Sequence, residues 1–283
     1  MRRQGVFQVV IVAMVAAFAT TCGWTAPPDD AIVPKDRVIC LFNGKNLDGL
    51  YTWLKDAKYQ DPRKVFTVEN GMLHISGDGL GYICTKNRYR DYHLVMEYRW
   101  GQRTWANRAQ RARDSGLIVH CVEPDGSYGG GVFMAGIEAQ TIEGGTGDFI
   151  VVPGIRADGS KIHVALTAET IQGRGSEIVW HKGGQRKTLN SGRVNWFGRD
   201  PDWADVRGFR GKQDVQSPGQ EWTRQEVICD GGHIIQRVNG VQVNEGFDSV
   251  PSSGKILLQC ELAEVYVRRF ELYPLGQSPQ FAR

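Results

Sequence analysis

The sequence predicts an all-β protein, an antiparallel two-sheet sandwich or jelly roll. Three observations point there. Short apolar or alternating runs of about four to eight residues recur from end to end. Asn70-Gly71 and Asn239-Gly240 each separate two such runs, the strongest short-range hairpin signal. Glycine occurs 35 times in 283 residues with no collagen period, as many tight turns require. No amphipathic stretch longer than about three helical turns interrupts this pattern. No period of about 20 to 50 residues repeats, which disfavours propellers and solenoids.

The chain opens differently. Arg2 and Arg3 precede an apolar run from Val6 to Ala19 broken only by Gln8, the n-region and h-region of a secretory signal. Ala17-Phe18-Ala19 supplies a small-x-small cleavage site, and the run is too short to span a bilayer well. Residues 1–26 are therefore expected to be a signal peptide, with a periplasmic or extracellular destination. A lipoprotein signal at Cys22 is the alternative, and membrane association is expected only in that case. Residues 27–37, rich in Pro and Asp, read as a linker. The domain is expected over 38–275, with a tail at 276–283.

Strands follow in order. Val38–Phe42 stops at Asn43-Gly44. Phe66–Glu69 and Met72–Ser76 flank the first hairpin turn. Tyr82–Thr85 is short. His93–Trp100 alternates, with Leu94, Met96, Tyr98 and Trp100 on one face and His93, Val95, Glu97 and Arg99 on the other. Leu117–Val122 and Ile137–Ile142 come next, then weaker runs at Ile162–Thr167 and Glu177–His181. Arg224–Cys229, His233–Val238, Val241–Val243, Lys255–Cys260 and Val265–Leu272 complete the set. Residues 173–220 are rich in Gly, Arg, Asp and Trp and lack periodicity. A loop that long is usually functional, and its Trp196, Phe197 and Trp203 either line a sugar site or pin the loop. Of the six cysteines, Cys84, Cys121, Cys229 and Cys260 sit in strand-like runs and read as small buried hydrophobes. No pair has CxxC spacing. A net charge of +3 without Lys/Arg runs gives no support for nucleic-acid binding.

Eight blocks, in order, resemble the 3-keto-disaccharide hydrolase domain family. Leu41-Phe42-Asn43-Gly44-Lys45-Asn46-Leu47-Asp48-Gly49-Leu50 resembles its opening, with Leu50 in place of the final aromatic. Phe66–Leu73, Tyr89–Arg99 and Asp114-Ser115-Gly116-Leu117 follow, the last standing where the family usually has Asn-Ser-Gly-Ile. Then come Glu138-Ala139-Gln140-Thr141-Ile142-Glu143, Glu221-Trp222, Asn239-Gly240, and Leu258–Phe270 with Leu262 and Arg269 departing from the pattern. The resemblance covers about Leu41 to Leu272. It implies a concanavalin A-like sandwich acting on 3-keto sugars, as hydrolase or lyase. A non-catalytic carbohydrate-binding module is the competing reading, because fold does not fix function.

Such chemistry needs a base for the C2 hydrogen, which the C3 carbonyl acidifies, stabilisation of the enolate oxygen, and an acid for the leaving group. Strand alternation puts Glu138 and Gln140 on a polar, concave face, opposite Ala139 and Thr141. The same alternation gives His120 the face of Ile118, and histidine titrates near 6.5. Glu138, His120 and Gln140 are thus the expected catalytic residues. Arg99, Glu97, Glu143, Gln259, Glu261 and Arg268 are expected to bind substrate from the same patch. The turn Glu143-Gly144-Gly145-Thr146-Gly147-Asp148 offers two carboxylates to a divalent cation, or is a plain hairpin turn.

Overall fold

The computed structural model describes residues 30–279. The signal segment, Cys22, the start of the linker and residues 280–283 lie outside the described residues. Twenty strands and one 3-10 turn, Ala106–Arg108, make up the fold. In chain order the strands are β1 (Ile39–Cys40), β2 (Leu50–Leu54), β3 (Phe66–Glu69), β4 (Met72–Ile75), β5 (Leu80–Thr85), β6 (Tyr92–Thr104) and β7 (Asp114–Val122). Next are β8 (Ala135–Ile142), β9 (Phe149–Val152), β10 (Gly154–Ile155), β11 (Lys161–Ile162), β12 (Ala165–Gln172), β13 (Ile178–Trp180) and β14 (Gln185–Leu189). The last are β15 (Gly192–Val194), β16 (Thr223–Asp230), β17 (His233–Val238), β18 (Val241–Val250), β19 (Lys255–Glu261) and β20 (Ala263–Tyr273).

Eighteen of these strands form the expected sandwich of two antiparallel sheets, and β10 and β11 form a separate two-stranded pair. A seven-stranded sheet runs β15-β9-β8-β7-β19-β5-β2, and an eleven-stranded sheet is built on β13-β12-β18-β17-β16-β6-β20-β4-β3, with β1 and β14 added at its sides. Both Asn-Gly turns join consecutive antiparallel strands, β3 to β4 and β17 to β18. Their asparagines take the positive φ such turns need, 50° at Asn70 and 48° at Asn239.

One core lies between the sheets. Leu117, Val119, Ile137, Ala139, Phe149 and Leu258 meet Leu94, Met96, Tyr98, Val227, Val267 and Phe270 across it. Because side chains alternate along a strand, the neighbours of these residues in the seven-stranded sheet, Ile118, Glu138, Gln140 and Gln259 among them, face outward. Part of that outer face is apolar: Trp53, Tyr82, Cys84, Ile118, Val152 and Leu257 pack against Val132, Phe133 and Met134 from the β7–β8 connection. The Asp125 carboxylate anchors this connection by accepting hydrogen bonds from Tyr51 (2.7 Å), Tyr59 (2.8 Å) and Tyr82 (2.5 Å). The polar remainder of the face holds the candidate site.

Cys84, Cys121, Cys229 and Cys260 are free and buried, as small hydrophobes are, while free Cys40 is exposed. Residues 173–220 are not one loop. They contain β13, β14 and β15, and β15 closes one side of the seven-stranded sheet. Trp196 is buried against Val238 and Val243, and the Trp203 indole donates to the Glu143 carbonyl at 3.1 Å. These two tryptophans pin the segment.

Candidate active site

Glycine makes the floor of the site. Gly116 of β7 lies opposite Gln140 of β8, and Leu257 and Leu258 of β19 pair with Ile118 and Leu117, which puts Gln259 on its other side. A Cβ at Gly116 would stand 2.2 Å from Gln259 Oε1 and 2.3 Å from Glu138 Oε1. Only glycine lets those two side chains converge. Asp114, two residues earlier on the same face, lies close enough to Glu261 at the end of β19 for the two carboxyl groups to interact. Three carboxyl groups, Asp114, Glu138 and Glu261, thus share one corner with two amides, Gln140 and Gln259.

Their protonation follows from burial and crowding. Burial, then the nearby Asp114 charge, pushes the Glu138 carboxyl up to about 8. Burial, then Glu138, pushes Glu261 up to about 7. Burial and the Glu261 charge hold Asp114 well above the usual carboxylate range. Glu138, at about 8, therefore holds its proton more firmly than Glu261, at about 7, so the corner pairs a stronger proton holder with a readier base.

Two arginines border it. Arg108 Nη2 donates to Asp114 Oδ2 at 2.9 Å. Arg193 of β15 donates from Nη1 to Asp148 Oδ2 at 2.6 Å and pulls the pKa values of Asp114, Glu138 and Glu261 downward. Asp148, fully buried, is itself fixed by Arg199 and by the Trp196 N–H at 2.9 Å. The site thus joins raised-pKa carboxyls to fixed positive charge, the combination that general acid–base chemistry on an electron-rich intermediate uses.

A family model described as the 3-keto-alpha-glucoside-1,2-lyase-like domain matches residues 37–273. The chain belongs to this family. Membership places it among glycosidase-like, carbohydrate-active domains. No curated protein matches the chain. Among solved structures it is similar to a protein from Parabacteroides distasonis assigned to the glycosyl hydrolases, at 17% identity, covering 84% of this chain and 94% of that one, with a TM-score of 0.47. It is also similar to a carbohydrate-binding module from Bacillus subtilis (10% identity, 79% and 94% covered, TM-score 0.40) and to a Bacillus licheniformis β-glucanase (11%, 83% and 96%, 0.41).

Within this 3-keto-glucoside lyase-like domain, the expected site residues divide into two groups. Glu138, Gln140, Gln259 and Glu261 come together on the outer face of the seven-stranded sheet. His120 does not join them. A β-bulge between Val119 and Val122 gives His120 a φ of 55° and breaks the alternation. Its ring is fully buried, donates from Nδ1 to the Pro251 carbonyl at 3.0 Å, and meets the Tyr92 ring edge-on. Burial pushes its pKa down to about 4, so the ring is neutral. Glu97, Arg99 and Arg268 lie on the other sheet, where Glu97 accepts from Arg268 Nε at 2.6 Å and Arg269 Nη1 at 3.2 Å. The single patch expected from alternation is therefore two patches on opposite faces.

Glu143 is tied to Arg113, whose backbone N–H also donates to it at 3.1 Å. Burial acts to raise its pKa, but Arg113 prevails and lowers it. With Asp148 likewise held by Arg193 and Arg199, the Glu143–Asp148 turn has committed both carboxylates to guanidinium groups. Among the described residues, no group of three or more His, Cys, Asp or Glu is arranged to hold a metal ion. Asp114, Arg108 and Arg193 went unpredicted. The Asp114-Ser115-Gly116 block had marked the first, but nothing local marks the arginines, which reach the site from a 3-10 turn and a three-residue strand.

Proposed function

We propose that this domain cleaves the glycosidic bond of 3-keto-glucosides by removing the C2 proton. The carrying observation is the convergence of Asp114, Glu138 and Glu261 over Gly116, with pKa values spread across neutrality. Ionised Glu261 takes the C2 proton, and the C–H electron pair delocalises onto the C3 oxygen as an enolate. The enolate then collapses: C3=O re-forms, a C1=C2 double bond forms, and the C1–O bond to the aglycone breaks. Protonated Glu138 delivers its proton to the departing oxygen. Arg193 and Arg108 stabilise the negative charge as it develops, while Gln140 and Gln259 orient the ring hydroxyls. Stopping there is the lyase outcome. Addition of water, hydroxyl to C1 and hydrogen to C2, is the hydrolase outcome.

Asp114, tied to Arg108 beside the base, lines the corner rather than reacting. Export is proposed on Arg2-Arg3 and the Val6–Ala19 run, which suits a domain meeting glycosides outside the cytoplasm. The test is aglycone release from a 3-keto-glucoside and from its unoxidised glucoside. Release from the keto substrate alone supports the reading. Binding of either without release would make the domain a carbohydrate-binding module.

A further inference from the structure

The outer face of the eleven-stranded sheet carries a second, separate constellation. Arg99 of β6 lies opposite Tyr266 of β20. Its guanidinium stacks over the Tyr266 ring and over the Trp222 ring, each at 5.1 Å. Arg268 stacks over Trp222 at 4.5 Å and His74 over Tyr266 at 4.6 Å. Beside Arg99 opens a cleft of about 310 Å³, lined also by Arg103, Gln102, Gln220 and Glu264.

The carboxylates of this face are already matched. Glu264 accepts from the backbone N–H groups of Gln102 (2.8 Å) and Arg103 (3.1 Å), from the Tyr266 hydroxyl (3.2 Å), and meets His74 Nε2 at 3.0 Å. Glycine at 101 permits this, since a Cβ there would sit 2.2 Å from Glu264 Oε2. Glu97 is held by Arg268 and Arg269. Arg99 has no carboxylate partner among the described residues, and its Nε is buried without an acceptor. Arg103 is 68% exposed at the rim, about 4.0 Å from Glu264.

A guanidinium in contact with two aromatic rings is restrained by them, while its N–H edge can still donate. That geometry suits a planar or tetrahedral oxyanion. A neutral sugar would offer that edge no charged acceptor. A cleft of about 310 Å³ holds more than a bare ion.

We propose that this cleft binds an acidic sugar unit, its carboxylate or sulfate group paired with Arg99 and its ring lying toward Arg103 and Gln220. The oxyanion part rests on the geometry alone. The sugar part rests on the carbohydrate reading above.

The experiment is calorimetric titration of the intact protein with glucuronate, glucose 6-sulfate, glucose and inorganic sulfate. Thermal melts check that each variant is folded. One or both acidic sugars are expected to bind, and glucose is not. Arg99→Ala is expected to weaken that binding at least tenfold. Arg103→Ala, at an exposed position, weakens it measurably and keeps the test valid if Arg99→Ala fails to fold. Glu138→Gln is expected to leave it intact, whatever happens to turnover. Loss of binding in Glu138→Gln but not in the arginine variants would place the ligand on the other sheet and overturn the proposal. So would inorganic sulfate binding as tightly as the sugars, which would mark an adventitious ion only, or the absence of any binding.

Discussion

Gly116→Ala is the sharpest structural perturbation of the site. The added Cβ would stand 2.2 Å from Gln259 Oε1 and 2.3 Å from Glu138 Oε1. Unstrained contacts of this kind need about 3.5 Å, so each group must retreat by roughly 1 Å. Both clashing atoms are side-chain ends, not backbone, so the fold can yield locally. Overpacking of this sort costs about 1–3 kcal/mol, and a domain of this size loses roughly 2–4 °C in Tm per kcal/mol. Catalysis is less forgiving, because a displacement of about 1 Å can cost on the order of 100-fold. Gly116→Ala should therefore melt only a few degrees to about 10 °C below wild type while kcat/KM on a 3-keto-glucoside falls by about 100-fold or more. The assay pairs aglycone release with a thermal melt. A folded variant with near-wild-type kcat/KM would show that the positions of Glu138 and Gln259 do not govern the reaction, and the reasoning would fail.

Four further outcomes follow from the same geometry. Glu138→Gln should lower kcat/KM on an alkyl 3-keto-glucoside by about 100- to 10,000-fold, yet largely spare a nitrophenyl one whose aglycone leaves without a proton, whereas Glu261→Gln should abolish both. Folded Glu138 keeps its proton up to about 8 while an unfolded one loses it near 4.5, so its contribution is complete below about 4.5 and is lost as pH rises to about 8; Glu138→Gln should accordingly gain Tm relative to wild type at pH 8 and little at pH 4.5. His120→Ala should cost about 2–4 kcal/mol through its cavity and the lost Pro251 bond while changing kcat/KM by less than roughly threefold. Because His120 is held neutral down to about 4 against 6.5 unfolded, its contribution is lost as pH falls through that window, and a variant that melts normally but is inactive would restore it to the site. Arg193→Ala should move the acid limb of the kcat/KM profile above about 7, since Arg193 lowers the pKa values of both Glu138 and Glu261.

Much of this fold could be read from the chain because its signals are local. Asn70-Gly71 and Asn239-Gly240 need positive φ, and strand alternation correctly separated Glu138 and Gln140 from their core-facing neighbours Ile137 and Ala139. Alternation failed at His120 for a definite reason: one extra residue in a bulge turns every later side chain over, and nothing in Val119-His120-Cys121 announces it. It also could not say which sheet a polar strand face belongs to. Glu97 and Arg99 alternate as cleanly as Glu138 and Gln140, yet β6 pairs with β16 and β20, in the opposite layer. The arginines of the site were hidden differently. Arg193 sits in Gly192–Val194, three residues whose strand character comes from pairing with β9 and not from their own propensity.

In the proposed reaction the C2 hydrogen leaves as the aglycone does. The most direct measurement uses a 3-keto-glucoside labelled with deuterium at C2 and follows label reaching solvent alongside aglycone released, with an enzyme-free control for spontaneous exchange. One label is expected to be lost for each aglycone, and neither is lost with Glu261→Gln. Aglycone release with the label still on C2 would contradict the proposed reaction and point to direct displacement at C1.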